Sequence, residues 1–166
     1  MTLPPITTMQ NKQTDIIWQC ARLAELSPAQ QYAIFAARSE VFVVEQNCAF
    51  LDMDGLDLDA VHVIGWAGEN TVAAYLRIVA PGIKFAEPSL GRVITTKGYR
   101  GGGAGKNLIA EGIRQLERIY PGQAIRIGAQ AYLERFYGSF GFKTVTDIYL
   151  EDDIPHIDMI RPAGGI

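Results

Sequence analysis

A glycine-rich segment of the chain has the composition to bind an anion through its backbone. Residues 100–106 read Arg-Gly-Gly-Gly-Ala-Gly-Lys, after an apolar stretch at 90–95 and before an amphipathic helical pattern at 108–120. Glycines let the chain turn tightly and point several N–H groups at one place, and a helix that begins there adds its positive end. The segment therefore predicts a binding site for a diphosphate.

The spacing of this segment excludes the two commonest phosphate loops. A P-loop requires a glycine where Arg100 stands and a Ser or Thr where Asn107 stands. The dinucleotide fingerprint, begun at Gly101, requires a third glycine where Lys106 stands and an acidic residue at the end of a second strand. The remaining pattern is Arg-x-x-Gly-x-Gly followed by a basic residue. A glycine-rich turn without a ligand also fits the segment taken alone.

Length and composition indicate one globular domain with its own core. The chain has 166 residues, of which 48% are hydrophobic and 20% charged, and its net charge is -3. That charge argues against nucleic-acid and anionic-membrane partners, which favour clustered Lys and Arg. Cys20 and Cys48 are too few for a disulfide framework or a metal site, so we expect a cytoplasmic protein without a metal. Residues 1–13 are expected to form a flexible tail without signal-peptide character, and residues 14–166 the domain.

The chain alternates predicted strands and helices. Ser27 and Pro28 supply a helix N-cap and first position, and Pro121 and Gly122 end the helix after the glycine-rich segment. Residues 47–59 are predicted to be a loop. The predicted strands are 15–22, 60–67, 71–79, 90–95, 124–129, 142–150 and 157–161, and the predicted helices are 28–45, 108–120 and 131–139. The side chains expected on the apolar side of the first helix are Tyr32, Phe35, Ala36 and Val43.

An aromatic segment ends the last predicted helix. Residues 131–142 read Ala-Tyr-Leu-Glu-Arg-Phe-Tyr-Gly-Ser-Phe-Gly-Phe. Phe136 and Tyr137 fall in the last helical turns and Gly141 releases the chain into the next strand, so one aromatic ring can pack while the other faces a cleft. The alternative is that both rings belong to the core.

These motifs and the order of elements resemble the GNAT N-acetyltransferase superfamily. The Arg-x-x-Gly-x-Gly segment resembles its acyl-CoA loop, and residues 131–142 resemble its late helix and strand entry. Residues 38–46 (Arg-Ser-Glu-Val-Phe-Val-Val-Glu-Gln) and 154–157 (Ile-Pro-His-Ile) further resemble the ElaA-like branch. The resemblance implies an α/β (α+β) GNAT acyl-CoA N-acyltransferase fold, in which helices flank a mixed, mostly antiparallel central sheet.

The resemblance also implies direct transfer of an acetyl group from acetyl-CoA to an amine, without a covalent enzyme intermediate. The acceptor would be a small-molecule or peptide amine, and a homodimer is left open. Main-chain groups of Val93, Ile94 and Thr95 would pair with the pantetheine arm, and Phe136 is counted with the cofactor-binding residues. The residues expected to hold the diphosphate are Arg100, Gly101, Gly102, Gly103, Ala104, Gly105 and Lys106.

Three side chains are candidate catalytic groups. Tyr137 matches the family tyrosine that reaches the CoA sulfur, so it is the expected general acid. Glu45 and His62 are the favoured candidates for the base, Glu45 because it ends the first helix beside the expected acceptor cleft and His62 because imidazole titrates near neutral pH. Structural roles for both residues, and a base relayed through water, stay open.

Two acidic segments have no assigned role in this scheme. Residues 52–59 hold several aspartates, but their spacing does not fit an EF-hand, so a calcium site is rejected. Attraction of a cationic amine and a solvated loop both fit this segment. His156 and the acidic residues 151–153 either border the acceptor site or form a solvated loop.

Two other functions remain as alternatives: a CoA-binding regulatory module without turnover, and an acyltransferase that uses longer acyl donors. A ping-pong route through Cys20 or Cys48 ranks below them, because neither cysteine has a sequence feature that would activate a thiolate. The intact glycine-rich loop and Tyr137 favour an active acetyltransferase.

Overall fold

The structure, a computed structural model, describes residues 15–165. The strands in this range are β1 Ile17–Arg22, β2 Val61–Gly68, β3 Thr71–Val79, β4 Ser89–Thr95, β5 Ile125–Gln130, β6 Lys143–Thr144, β7 Tyr149–Glu151 and β8 Ile154–Arg161. The α-helices are α1 Pro28–Ser39, α2 Ala104–Ile119 and α3 Glu134–Gly138, and α1 continues as a π-helix over Glu40–Glu45. Short 3-10 turns lie at Leu23–Glu25, Leu56–Leu58, Lys97–Tyr99 and Ala131–Leu133.

The strands form two antiparallel sheets that meet at one end. The first has the order β1-β2-β3-β4, and the second has the order β5-β8-β6 with β7 also paired to β8. The N–H of Arg126, in β5, donates to the carbonyl of Pro88 just before β4, at 3.1 Å. Beyond that bond β4 and β5 are the facing edges of separate sheets, so a cleft opens between them. The predicted α+β class with mostly antiparallel strands is confirmed.

The helix α1 begins where its capping residues predict. Ser27 Oγ accepts from the Gln30 N–H at 3.1 Å and the Gln30 side chain accepts from the Ser27 N–H at 2.9 Å, which satisfies two end groups reciprocally. Its predicted apolar side is wrong, since Tyr32 is 79% exposed. The side that packs on the sheet is displaced around the helix and consists of Ile34, Ala37, Arg38 and Val41.

The helix α2 covers the other face of the first sheet. Leu108, Ile109, Ile113 and Leu116 are buried in one cluster with Leu76 of β3. A Cβ on Gly112 would lie 2.6 Å from Leu76 Cδ2, so the helix approaches β3 closely because residue 112 has no side chain. This contact fixes where α2 begins relative to the end of β4.

The single strand predicted at 142–150 is wrong. Thr144 pairs with Met159, and Tyr149 pairs with His156. The two paired positions are therefore five residues apart along 144–149 but only three residues apart along β8. The two additional residues leave the ladder, and the segment divides into β6 and β7. Periodicity did not reveal the division, because register depends on the partner strand.

Candidate active site

The start of α2 presents free main-chain donors. Gly103 is its N-cap with φ of 87°, a left-handed conformation that favours glycine, and Gly101 has φ of 84°. The first helical hydrogen bond is donated by the Asn107 N–H to the Gly103 carbonyl at 3.1 Å, so the N–H groups of residues 104–106 have no acceptor within the helix. This end of α2 could hold a diphosphate, as the sequence predicts.

The last residues of β4 lie beside this helix end. A Cβ on Gly105 would lie 3.7 Å from Thr95 Cγ2. Arg100 spans the gap, since its Nε donates to the Thr95 carbonyl at 2.9 Å and its Nη2 donates to Glu45 Oε2 at 2.6 Å. The edge of β4 and the free end of α2 therefore form one continuous backbone surface.

The strand β4 contains a bulge at the mouth of the cleft. At the bulge two residues of β4, Arg92 and Val93, lie opposite a single residue of β3. Arg92 has φ of 51°. Asp52 holds the Arg92 side chain, with Nε donating to Oδ1 at 2.7 Å and Nη2 to the main-chain carbonyl at 2.9 Å. A bulge removes main-chain groups from the ladder. Because β4 is a sheet edge, these groups become available to a molecule in the cleft.

Two adjoining cavities occupy the cleft. The inner one encloses about 160 Å³ and is lined by the bulge, by residues 127–130 of β5 and by Tyr137. The outer one encloses about 360 Å³ and is lined by Phe50, Asp152 and other residues outside the sheet. Residues that line both include Phe42, Gln46, Arg77, Lys84, Arg92, Gln130, Glu151 and His156. The shared lining gives two ligands a place to meet beside the β4 bulge.

Tyr137, the expected general acid, lines the inner cavity. Its ring packs edge to face on Phe136, with centroids 5.2 Å apart, and on Phe142 at 6.0 Å. Burial raises the pKa of Tyr137, so its hydroxyl stays protonated at neutral pH. Within residues 15–165 this hydroxyl has no hydrogen-bond partner. Phe136 itself packs on Phe140 and on the main core.

Three arginines and three aspartates form a buried arginine–aspartate cluster beside the cavities. Its members are Arg38, Asp52, Asp54, Asp57, Arg77 and Arg92. Arg38 binds Asp52 at 2.9 Å and Asp57 at 2.5 Å. Burial by itself raises the pKa of Asp57, but hydrogen bonds and charge from Arg38 and Arg77 leave it lowered. The solvated loop considered from the sequence is wrong for Asp52 and Asp57, which are 6% and 5% exposed, whereas Asp54 and Asp59 are exposed.

Known proteins share this architecture. The acetyltransferase (GNAT) domain family matches residues 60–161. A UPF0039 protein of Synechocystis sp. is 42% identical over 146 residues, covering 88% of this chain and 95% of its own. The protein ElaA of Escherichia coli is 43% identical over 148 residues (88% and 96%), and its crystal structure matches with a TM-score of 0.82. An acyl-CoA N-acyltransferase from Pseudomonas aeruginosa, 40% identical, matches with a TM-score of 0.83 and covers 88% of this chain and 99% of its own.

The chain belongs to the ElaA-like branch of the GNAT acetyltransferase family. The predicted resemblance and fold are thereby confirmed. In this family the fold binds acyl-CoA. The free end of α2, the edge of β4 and the two cavities lie together at one cleft.

Glu45 and His62, the two side chains favoured as the base, lie in different parts of the structure. Glu45 lies at the glycine-rich loop, paired with Arg100. His62 is fully buried under the 3-10 turn Leu56–Leu58: its Nε2 donates to the Asp57 carbonyl at 2.9 Å, and its Nδ1 accepts from the Tyr75 hydroxyl at 2.7 Å. Burial lowers the pKa of His62. With both ring nitrogens occupied, His62 has no lone pair left for a substrate.

Sequence reasoning missed the bulge at Arg92 and the partners of the acidic loop. A positive φ at an arginine has no signature in the sequence. The arginine–aspartate cluster did have a signature in the sequence, because Arg38 lies on the buried side of a helix and Arg77 lies within an apolar strand. A buried charge requires an opposite charge, and residues 52–57 hold three carboxylates without an assigned role.

Two further features of residues 15–165 bear on the GNAT site. No helix in this range is long and apolar enough to cross a membrane. The same residues contain no group of three or more His, Cys, Asp or Glu side chains arranged to hold a metal ion.

Proposed function

We propose that this GNAT protein is an N-acetyltransferase that moves the acetyl group of acetyl-CoA directly to the amine of a small molecule or peptide. The observation that carries the proposal is the continuous backbone surface from the β4 bulge to the free end of α2. It offers main-chain donors for the diphosphate at residues 100–106 and for the pantetheine arm at Val93, Ile94 and Thr95.

The chemistry assigns distinct tasks to these groups. A free main-chain N–H at the bulge would stabilise the oxyanion that forms on the thioester carbonyl. Tyr137 would donate its hydroxyl proton to the sulfur as the thiolate leaves, because burial keeps that proton in place until a stronger base appears. Both cysteines are free, which supports a reducing, cytoplasmic location.

Acetyl-CoA binding is tested by thermal unfolding with and without the ligand. Ligand at about 100 times its dissociation constant stabilises the folded protein by roughly 2.7 kcal/mol. We expect the shift in the wild type and not in Gly103→Glu, where a carboxylate and a side chain at φ of 87° disturb the anion site. Gly122→Glu is the matched control: it adds the same charge at φ of 74°, beyond the other end of α2, and should keep the shift.

Octanoyl-CoA and an amine panel complete the test. A shift with acetyl-CoA, followed by acetylation of at least one amine, supports the proposal. A larger shift and faster transfer with octanoyl-CoA would replace it with a longer-chain acyltransferase. Equal shifts in Gly103→Glu and Gly122→Glu would contradict the diphosphate site at α2.

A further inference from the structure

His156 lies where the two cavities join. It belongs to β8, opposite Gln130, the last residue of β5, and opposite Tyr149 of β7, on whose ring it stacks with centroids 6.1 Å apart. His156 lines the inner cavity with the bulge residues Arg92 and Val93, and it also lines the outer cavity. An acceptor that reaches the bulge from the outer cavity therefore passes this imidazole.

The hydrogen bonds of His156 fix which nitrogen can accept a proton. Its Nδ1 lies 2.7 Å from the Ile154 carbonyl, which can only accept, so Nδ1 carries the hydrogen of the neutral ring. The lone pair is then on Nε2. Glu151 Oε2 lies 3.3 Å from Nε2 and provides a counter-charge when that nitrogen is protonated. A carboxylate donates no hydrogen to Nε2, whereas at His62 the Nδ1 lone pair already accepts from the Tyr75 hydroxyl.

We propose that His156 is the general base that takes a proton from the acceptor amine, with Glu151 as a positioning residue. The proposal rests on the acetyl transfer proposed above and assigns its missing base. Neither side chain was given this role by the sequence motifs, and neither Glu45 nor His62 has a comparable position between the cavities.

Every proton and electron pair in the proposed transfer can be assigned to these groups. His156 Nε2 takes one proton from the ammonium, which frees the nitrogen lone pair. That lone pair forms a bond to the thioester carbon, and the carbonyl electron pair moves to oxygen. When the pair returns, the carbon–sulfur bond breaks and the thiolate takes the proton of Tyr137. The second nitrogen proton restores Tyr137 through solvent, His156 releases its proton to solvent, and the net products are amide, CoA thiol and one proton.

Several other charges face the same space and set the electrostatics around His156. They come from the acidic loop, β3, the β3–β4 connection, β4, β7 and the turn after it: Asp54, Arg77, Lys84, Arg92, Glu151 and Asp152, with the neutral phenol of Tyr149 stacked on the ring. Arg77 and Arg92 are paired within the arginine–aspartate cluster, whereas Glu151 is the carboxylate in contact with the imidazole. A conservative change at His156 leaves the cluster intact.

The proposal is tested with two small amines that differ in their need for a base. Methylamine is protonated at neutral pH, whereas methoxyamine is already neutral and needs no base before it attacks. We expect His156→Gln to lower kcat/KM for methylamine about 100-fold at pH 7, the usual size of a general-base contribution, and to leave methoxyamine nearly unchanged. The methylamine deficit should shrink as pH rises, because the amine then loses its proton to water. Glu151→Gln should give a smaller deficit of the same kind.

The possible outcomes distinguish a wrong assignment of the base from a wrong assignment of the function. Equal losses for both amines, or no loss for either, would overturn His156 as the base while leaving acetyl transfer in place. A selective loss of activity toward methylamine in Glu45→Gln, and not in His156→Gln, would assign the base to Glu45. If the wild type acetylates no amine of the panel although acetyl-CoA raises its unfolding temperature, the proposed function fails and the base fails with it.

A second measurement uses the unmodified protein and covers the case in which His156→Gln does not fold. The chain has two histidines, and His62 is fully buried. Diethyl pyrocarbonate should modify His156 and inactivate transfer to methylamine in parallel, as followed by peptide mass spectrometry. Full modification of His156 with undiminished transfer to methylamine would overturn the proposal.

Discussion

Burial keeps both Tyr137 and His62 neutral, but Tyr137 lines a cavity whereas His62 is enclosed by other side chains. Loss of water raises the pKa of the phenol and lowers the pKa of the imidazole, because in each case the charged form loses hydration. Tyr137 lines the inner cavity, so the proton it retains would be available to a molecule bound there. His62 is closed in by Tyr75 and Asp57, so its neutrality serves the packing beneath the acidic loop.

Replacement of Tyr137 by Phe should lower kcat without weakening acetyl-CoA binding. The ring packing on Phe136 and Phe142 is retained, and only the proton for the leaving thiolate is lost. We expect a loss of about 100-fold in kcat, measured by release of CoA thiol, with an unchanged acetyl-CoA shift in unfolding temperature. Wild-type turnover in Tyr137→Phe would contradict the acid role.

Protonation of His62 should destabilise the folded protein below neutral pH. Its pKa is lowered by folding, so as pH falls the unfolded chain takes up the proton first, and stability present above about pH 6.5 is lost. One such group gives a slope of up to about 1.4 kcal/mol per pH unit. Urea unfolding at pH 7.5, 6.5 and 5.5 measures it. His62→Gln should flatten this slope, and an identical slope in that variant would contradict the assignment.

At the scale of elements, α2 connects the core to the donor site. Its N-terminal turn faces the cleft, and its middle packs on β3 where residue 112 has no side chain. The position of the anion site at Gly103 therefore depends on a core contact about two turns further along the helix.

Gly112→Val should destabilise the fold by about 1–3 kcal/mol, because its side chain would overlap Leu76 in a close-packed core. The matched control is Ala110→Val, an exposed position of the same helix that adds the same branched side chain. We expect that control to change the free energy of urea unfolding by no more than about 0.5 kcal/mol. Equal effects of the two variants would contradict the packing explanation, because helix propensity by itself favours Gly112→Val and opposes Ala110→Val.

At the scale of the whole molecule, the arginine–aspartate cluster joins segments far apart in sequence. Arg38 connects α1 to the acidic loop, Arg77 connects that loop to β3, and Arg92 connects it to the β4 bulge. The cluster thereby positions the backbone that would receive the thioester carbonyl.

Arg38→Gln should cost about 3–5 kcal/mol, since it removes the fully buried arginine and leaves Asp52 paired only with Arg92 and Asp57 only with Arg77. Arg114→Gln is the surface control. Its pair with Glu111 is 65% exposed on the arginine side, so solvent screens it and we expect a much smaller loss than in Arg38→Gln. Both are measured by urea unfolding at pH 7. Similar losses would mean that the buried cluster adds nothing beyond an exposed pair.

Much of the fold could be read from local sequence. Ser27 and Pro28 start α1, residues 68–70 turn the β2–β3 hairpin, and the glycine-rich segment starts α2. Each depends on backbone preferences of adjacent residues. The predicted roles of Tyr137 and residues 93–106 stay predictions, placed by the structure at one cleft. The buried face of α1 and the division of β6 from β7 depended on partners that periodicity does not reveal.

The sequence by itself determined the family and the glycine-rich loop that begins α2, because these reside in contiguous residues whose backbone chemistry is local. Only the tertiary structure decided which charged side chains meet. Arg38 finds Asp57 19 residues away, and Arg92 finds Asp52 40 residues away. His62 becomes buried while His156 reaches the cavities, although imidazole chemistry is the same in both. Register and packing between distant segments make that distinction, and neither is encoded in the spacing of residue types along the chain.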